Sequence, residues 1–279
     1  MSKNYLIYGV KRTGNHAIIN WLIPQVGEAV RFFNDQKYML MDLTNRDDEH
    51  HLVEHILQLF TAKVFHNNKM GRSTEAFSDE YINVDNIISF ESTKLNRMLE
   101  LECQWLEDLN RGIKLRNSKL VIGNDNTYII LLRNPWNIVA SQIRWRIDRK
   151  DKYERTDIDM EVWSEFYEHY ITSKHPNPHF IIYDKWFMDI EYRKKVSSEL
   201  SLEFSDVNKN KVARAGGGSS FDKMEYDDRA EEMNVLNRYE EMMYHESMQD
   251  FVKTDMGIEV KNKWNHLCDL ENIIELKIK

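Results

Sequence analysis

Five short runs rich in β-branched and aromatic residues constrain this chain most: YLIY (5–8), AVRFF (29–33), NIISF (86–90), YIILL (128–132) and FIIY (180–183). Each has the length of a strand and is too short for a helix that would stand alone. Longer segments with helical spacing lie between and after them: NHAIINWLI (15–23), DEHHLVEHILQLF (48–60), KLNRMLELECQWLEDLNRG (94–112), WNIVASQIRWRI (136–147), EVWSEFYEHYI (161–171) and YRKKVSSEL (192–200). Strands that alternate with helices pair in parallel, so the pattern predicts an α/β fold with a central parallel β-sheet flanked by helices. Ligands of such sheets bind outside the carboxyl ends of the strands. Only four prolines occur and no Ser/Gly/Pro-rich linker interrupts the chain, which reads as one domain over 1–279 with an insertion at 34–86. The stretch at 66–86 is polar and aperiodic, as a surface insertion is, and the charge-dense DKMEYDDRAEE (222–232) reads as a solvated loop or helix face.

The first run leads into a Gly-bounded loop. Gly9 follows the apolar residues, four residues pass, and Gly14 opens a helix carrying Ala17, Ile18, Trp21 and Leu22. This is the G-x-x-x-x-G spacing of a phosphate-binding loop, and it predicts a P-loop NTPase-like three-layer sandwich. Backbone amides of such a loop cradle an anion, and the helix that follows adds the positive end of its dipole. Yet Asn15 and His16 stand where an ATPase or GTPase has Lys and Ser/Thr, and the cations Lys11 and Arg12 lie inside the loop. Asn and His donate hydrogen bonds but are poor ligands for magnesium, which selects hard oxygens. A phosphate held without a required metal fits these residues; a tight turn with no ligand is the alternative. The net charge of −8 argues against a general binder of nucleic acid or membrane surface, so an anion needs a local basic pocket. Cys103 and Cys268 are too few for a disulfide framework. No apolar run approaches the roughly 18 residues of a membrane span, and the expectation is a soluble, cytoplasmic protein.

A second strand–loop–helix follows in TYIILLRNPWNIVASQIRW (127–145). Its strand ends at Arg133, Pro135 occupies a natural first helical position, and Ser141 lies on the second turn of the helix. An Arg at a strand end and a Ser on the next helix can converge on one phosphate. At this point the chain resembles the sulfotransferases that use 3′-phosphoadenosine 5′-phosphosulfate (PAPS). Arg12-Thr13-Gly14-Asn15-His16 is similar to that family's K/R-S/T-G-T-T donor loop, with two other polar residues replacing the threonines. Arg133, Asn134, Pro135 and Ser141 match its R-[ND]-P…S motif, which binds the 3′-phosphate. FIIYDKWFMDIEYRKKVSSELSLEF (180–204) looks like its RYEDL…FLGL segment, and Arg214-Ala-Gly-Gly-Gly-Ser-Ser-Phe221 like its late R-x-G loop.

The resemblance implies sulfuryl transfer from PAPS to a hydroxyl or amine of a small-molecule or carbohydrate acceptor, with PAP as product and no metal required. It implies donor contacts from Lys11, Arg12, Thr13, Gly14, Asn15, His16, Arg133, Ser141, Arg214, Gly216, Gly217 and Gly218. Arg12, helped by Lys11 and His16, is placed to stabilise charge on the bridging oxygen. The family's general base, a His or Glu, ends the central strand before the R-[ND]-P strand, where this chain has Glu91, with His16 in reserve. A carboxylate at the start of the next helix is an equal reading of Glu91. Phe32, Phe33 and Tyr38 stack on an acceptor or belong to the core and its rim. Three rivals stay open: a nucleotide- or PAPS-binding module without catalysis, a small-molecule kinase, and a zinc hydrolase built on the H-x-x-E-H pattern of His51, Glu54 and His55.

Overall fold

The computed structural model describes residues 3–33, 62–66, 69–70, 84–92, 125–149, 156–173, 178–213 and 218–278. Five strands form a parallel sheet: β1 (Asn4–Gly9), β2 (Ala29–Phe33), β5 (Asp85–Glu91), β6 (Asn126–Leu132) and β7 (His179–Ile182). Two short antiparallel strands, β3 (Ala62–His66) and β4 (Lys69–Met70), extend one edge, giving the order β4-β3-β2-β5-β1-β6-β7. The helices are α1 (Asn15–Val26), α2 (Pro135–Arg149), α3 (Thr156–Thr172), α4 (Tyr183–Met188), α5 (Ile190–Glu199), α6 (Arg238–Met242), α7 (Glu246–Lys253) and α8 (Asp255–Leu270). The α/β class and the five parallel strands are those the sequence predicts. Two details differ. Tyr183 opens α4 rather than ending a strand, and part of the 34–86 stretch forms β3, β4 and the start of β5. The segment at 222–232 is a series of turns with a 3₁₀ turn at Ala230–Glu232.

β1 lies between β5 and β6, and all its residues are buried, as expected of a parallel strand covered on both faces. A polar row crosses the amino ends of the strands. Arg31 Nη1 donates to Asn86 Oδ1 (2.7 Å), Asn86 Nδ2 to Asn4 Oδ1 (2.8 Å), and Asn4 Nδ2 to Asn126 Oδ1 (2.8 Å). These four residues sit directly opposite one another in the ladder. A one-residue slip of any strand would turn its member to the other face and orphan its neighbours, so the row specifies register. Burial pushes the Arg31 guanidinium down to about 10, still charged at neutral pH.

On the opposite, carboxyl edge, α2 starts with Asn134 as its cap. The Asn134 Oδ1 accepts from the Trp136 and Asn137 amides (3.0 and 3.3 Å), and Pro135 follows where no amide is needed. α2 packs against α3, α6, α7 and α8. The long α8 buries Val260, Trp264, Leu267 and Cys268 and is capped by Thr254, whose hydroxyl accepts from the Gly257 amide.

The row yields a prediction. Asn4→Ala removes the middle of the relay and takes from the buried Asn86 amide its acceptor, at a cost of about 1–3 kcal/mol for one buried orphaned donor. Urea unfolding would show a lower midpoint with an unchanged slope. A midpoint equal to that of the parent would show that the row adds nothing to stability.

Candidate active site

Three loops meet at the carboxyl edge of the sheet: residues 10–14 after β1, Glu91-Ser92 ending β5, and Arg133-Asn134 after β6. The first turns sharply. Arg12 and Gly14 adopt left-handed backbone (φ +71° and +100°), and the Thr13 amide closes the turn on the Val10 carbonyl (3.1 Å). Left-handed geometry costs a non-glycine residue of order 1 kcal/mol, so the surroundings must hold Arg12 there. They do so through its carbonyl, which accepts from Arg133 Nη1 (2.9 Å), and through the Lys11 carbonyl, which accepts from Gln142 Nε2 of α2 (3.2 Å). The Arg12 guanidinium lies over the Trp145 ring, 5.1 Å from its centre. Gly14 caps α1 without a side-chain hydrogen bond, which leaves the positive end of the helix facing the loop. Any side chain at Gly14 would collide with Tyr183, whose ring comes within 2.3 Å of the Cβ position.

Arg133 joins the parts. It is 3% exposed. Its Nη1 reaches the loop and its Nη2 the Val235 carbonyl (2.7 Å), while its plane lies over Tyr183 at 4.6 Å. A second buried guanidinium, Arg238, feels Arg133; burial first and that neighbour second hold its pKa below the usual arginine value. Arg238 is anchored by Asp222 Oδ2 (2.7 Å), by Ser219 Oγ (2.8 Å) and by the Phe221 ring (5.0 Å). Three polar atoms of the loop, Arg133 and α2 are shielded from solvent and have no hydrogen-bond partner among the described residues: Thr13 Oγ1, Arg133 Nε and Ser141 Oγ. Buried polar atoms are rarely left unpaired. A hydroxyl, a guanidinium N–H and a second hydroxyl are donors of the kind that hold phosphate oxygens, and their chemistry fits the PAPS and PAP that the resemblance implies.

Glu91 ends β5 directly beside Gly9 and is half-buried. Its Oε1 accepts from Asn15 Nδ2 (3.1 Å), so the carboxylate reaches across to the start of α1. His16 stands edge-on to Phe32, 6.4 Å between ring centres. Phe32 and Phe33 are buried in the core. Gly218 is left-handed (φ +84°), and a Cβ there would lie 2.4 Å from the Lys223 carbonyl oxygen. The tight Ser219–Lys223 turn accounts for that glycine. Tyr38, His51, Glu54, His55, Arg214, Gly216 and Gly217 lie outside the described residues. Among the described residues no helix is long and apolar enough to cross a membrane.

Sequence reasoning did not single out Tyr183, Asp184, Gln142, Trp145 or Arg238. For Tyr183 and Asp184 a signal existed, because both follow an apolar strand at the edge where ligands bind. Arg238, in a run of charged residues, carried none. Asp184 Oδ2 accepts from the Asn134 amide (2.8 Å). Burial raises its pKa to about 6, against the pull of Arg133.

By overall shape the chain is similar to several solved structures. Mouse sulfotransferase SULT7A1 complexed with PAP matches with a TM-score of 0.43 and 10% identity, covering 98% of this chain and 88% of that one. The sulfotransferase domain from the curacin biosynthetic pathway matches at 0.40 and 13%, covering 95% and 98% respectively. Retinol dehydratase in complex with androsterone and inactive cofactor PAP matches at 0.40 and 12%, covering 95% and 80%. No family model and no curated protein matches the chain in sequence.

The Asp184 environment makes a prediction with a definite sign. A carboxyl raised from 3.8 to about 6 stabilises the fold fully below pH 4 and loses that contribution as pH rises through 6. Asp184→Asn cannot titrate. The stability of the parent minus that of the variant should therefore fall by about 3 kcal/mol between pH 3 and 7, at 1.36 kcal/mol per pKa unit. Urea titrations of both proteins across that range measure the difference, and a flat line would contradict the assignment.

Proposed function

We propose that this protein transfers a sulfuryl group from PAPS to a hydroxyl or amine of a small-molecule or carbohydrate acceptor. One observation supports the reading: Arg133 is bonded to the Arg12 carbonyl of the 10–14 loop, and the buried hydroxyls of Thr13 and Ser141 are left unspent. In a P-loop NTPase the two positions after the second glycine supply the phosphate-binding Lys and the magnesium-binding hydroxyl. Here Asn15 spends its amide on Glu91, and His16 packs by Phe32. A centre of this kind suits an anhydride held by arginines and backbone amides.

PAPS supplies an activated S–O bond to phosphate. The loop amides and the first turn of α1 hold the 5′ end of the donor, and Arg133 with Ser141 holds its 3′-phosphate. Glu91 takes the acceptor proton while the acceptor oxygen bonds to sulfur and the bridging oxygen departs on PAP. Arg12, released from Trp145, meets the charge that builds on that oxygen, where a preorganised cation has its greatest effect.

The reading predicts that adenosine 3′,5′-bisphosphate binds at least tenfold more tightly than AMP in calorimetric titration, because the 3′-phosphate gains charge-assisted hydrogen bonds. Equal affinities would refute the Arg133–Ser141 assignment. Ser141→Ala removes a hydroxyl with no partner in the protein, so its thermal stability should hold. Its affinity for the bisphosphate alone should drop by about 1 kcal/mol, the worth of one hydrogen bond. Arg12→Ala should lower turnover of labelled PAPS more than donor affinity, since its charge matters most in the transition state. A variant that loses affinity and keeps turnover would make Arg12 a ground-state anchor. A protein that binds PAP but moves no sulfate to a panel of phenols, alcohols, sugars and amines would be a binding module instead.

A further inference from the structure

We propose that the Asn15 side chain serves the acceptor half of the site: it is a positioning residue that orients Glu91, and it is not a ligand of the donor. The inference rests on Glu91 as the base of the reaction proposed above.

Asn15 opens α1 and is 4% exposed. Which end of its amide faces Glu91 is settled by charge, because only the NH₂ end can meet a carboxylate oxygen at 3.1 Å. The carbonyl end is thereby turned onto Gly9. A Cβ on Gly9 would stand 2.4 Å from Asn15 Oδ1 and 3.2 Å from Cγ. The first glycine of the loop spacing therefore makes room for the amide that reaches Glu91. The extended β1 backbone at that point does not itself require a glycine, since Gly9 is not among the positive-φ residues.

The rest of this corner fixes the strand from which Glu91 projects. The Ser92 amide donates to the Gly9 carbonyl (3.0 Å), and the Lys11 amide donates to Ser92 Oγ (3.2 Å). Ser92 itself is left-handed, with φ +53°. Non-glycine residues persist in that region only where their surroundings over-determine them. Two hydrogen bonds thus bolt Ser92, just past β5, to Gly9 and Lys11, and the Asn15–Glu91 bond does the same for the carboxylate. A neutral amide is suited to this duty. It holds the carboxylate in place without supplying the full positive charge that would make it a poor proton acceptor, as a lysine here would. The backbone amide of Asn15, in the first turn of α1, remains for an anion in the loop.

The test combines donor binding with a double-mutant cycle. Calorimetry with PAP comes first: Asn15→Ala should change Kd by less than threefold. A loss beyond tenfold would make the side chain a donor ligand and overturn the proposal. Transfer from labelled PAPS to the best acceptor of the panel comes second. Glu91→Gln should slow kcat by about 10²–10⁴-fold, the range of general-base catalysis. Asn15→Ala should slow kcat at least tenfold with KM for PAPS unchanged, yet alter it less than twofold when Glu91 is already Gln. A Glu91→Gln variant with parental kcat refutes the base itself. A slow Glu91→Gln combined with an additive Asn15→Ala refutes only the positioning role. Absence of transfer by the parent protein removes both. Asn15→Asp guards against misfolding of the alanine variant, because it keeps the shape and sets two carboxylates face to face. It should lower the thermal midpoint, and Glu91→Gln should restore that midpoint by donating back to Asp, without restoring kcat. A double variant no more stable than Asn15→Asp alone would show that the two side chains do not pair.

Discussion

The geometry of the candidate site depends on one buried cation. Arg133 is held by the carbonyls of Arg12 and Val235 and by the face of Tyr183. A buried guanidinium must satisfy its donors or pay a large desolvation cost. Here the protein meets part of the demand with backbone carbonyls and an aromatic ring and leaves Nε unspent, while Asp184, the nearby carboxyl, is spent on the Asn134 amide. The charge of Arg133 is consequently not cancelled by a bidentate carboxylate partner. An arginine so placed keeps its field uncancelled, and it shapes the loop by fixing one of its carbonyls. Under the proposed function, structure and anion recognition are two uses of the same side chain.

The parallel part of the sheet was legible because its strands are apolar, β-branched and bounded by turns. The edge strands β3 and β4 were not, since one has five residues and the other two, in a stretch dominated by polar residues. Their pairing is set by neighbours, which a period-two pattern in so short a piece cannot reveal. The C-terminal helices are a different case. Val260, Trp264, Leu267 and Cys268 recur at helical spacing and face the core, so the signal for α8 was present beneath a high density of charge. Asn15 and Glu91 lie 76 residues apart and nothing local identifies the partner, so Asn15 reads from sequence as a donor contact.

Within the site the same division holds. Spacing pointed to the loop, to Arg133 and to Ser141, because strand, turn and helix impose a local grammar on such residues. Asn134 is explained twice over, as part of a motif and as the cap of α2. Tyr183 and Gln142 act through tertiary contacts with segments far along the chain, and Arg238 through partners 16 and 19 residues before it. Gly14 shows the limit well: its left-handed backbone follows from the turn, whereas the ring of Tyr183 pressed against it could be seen only once the fold was assembled.

The two carbonyls that hold Arg133 lie 121 and 102 residues away from it, one on each side in the sequence. As the chain leaves the ribosome, Arg133 can meet the loop long before Val235 exists. For that interval one arm of the guanidinium lacks its final acceptor, and α2 lacks the helices α6, α7 and α8 that pack against it. Contacts of such separation are made late and slowly. The shape of the 10–14 loop is therefore completed near the end of synthesis, and a chain cut short before Val235 would carry every residue of that loop without the architecture that gives it its shape.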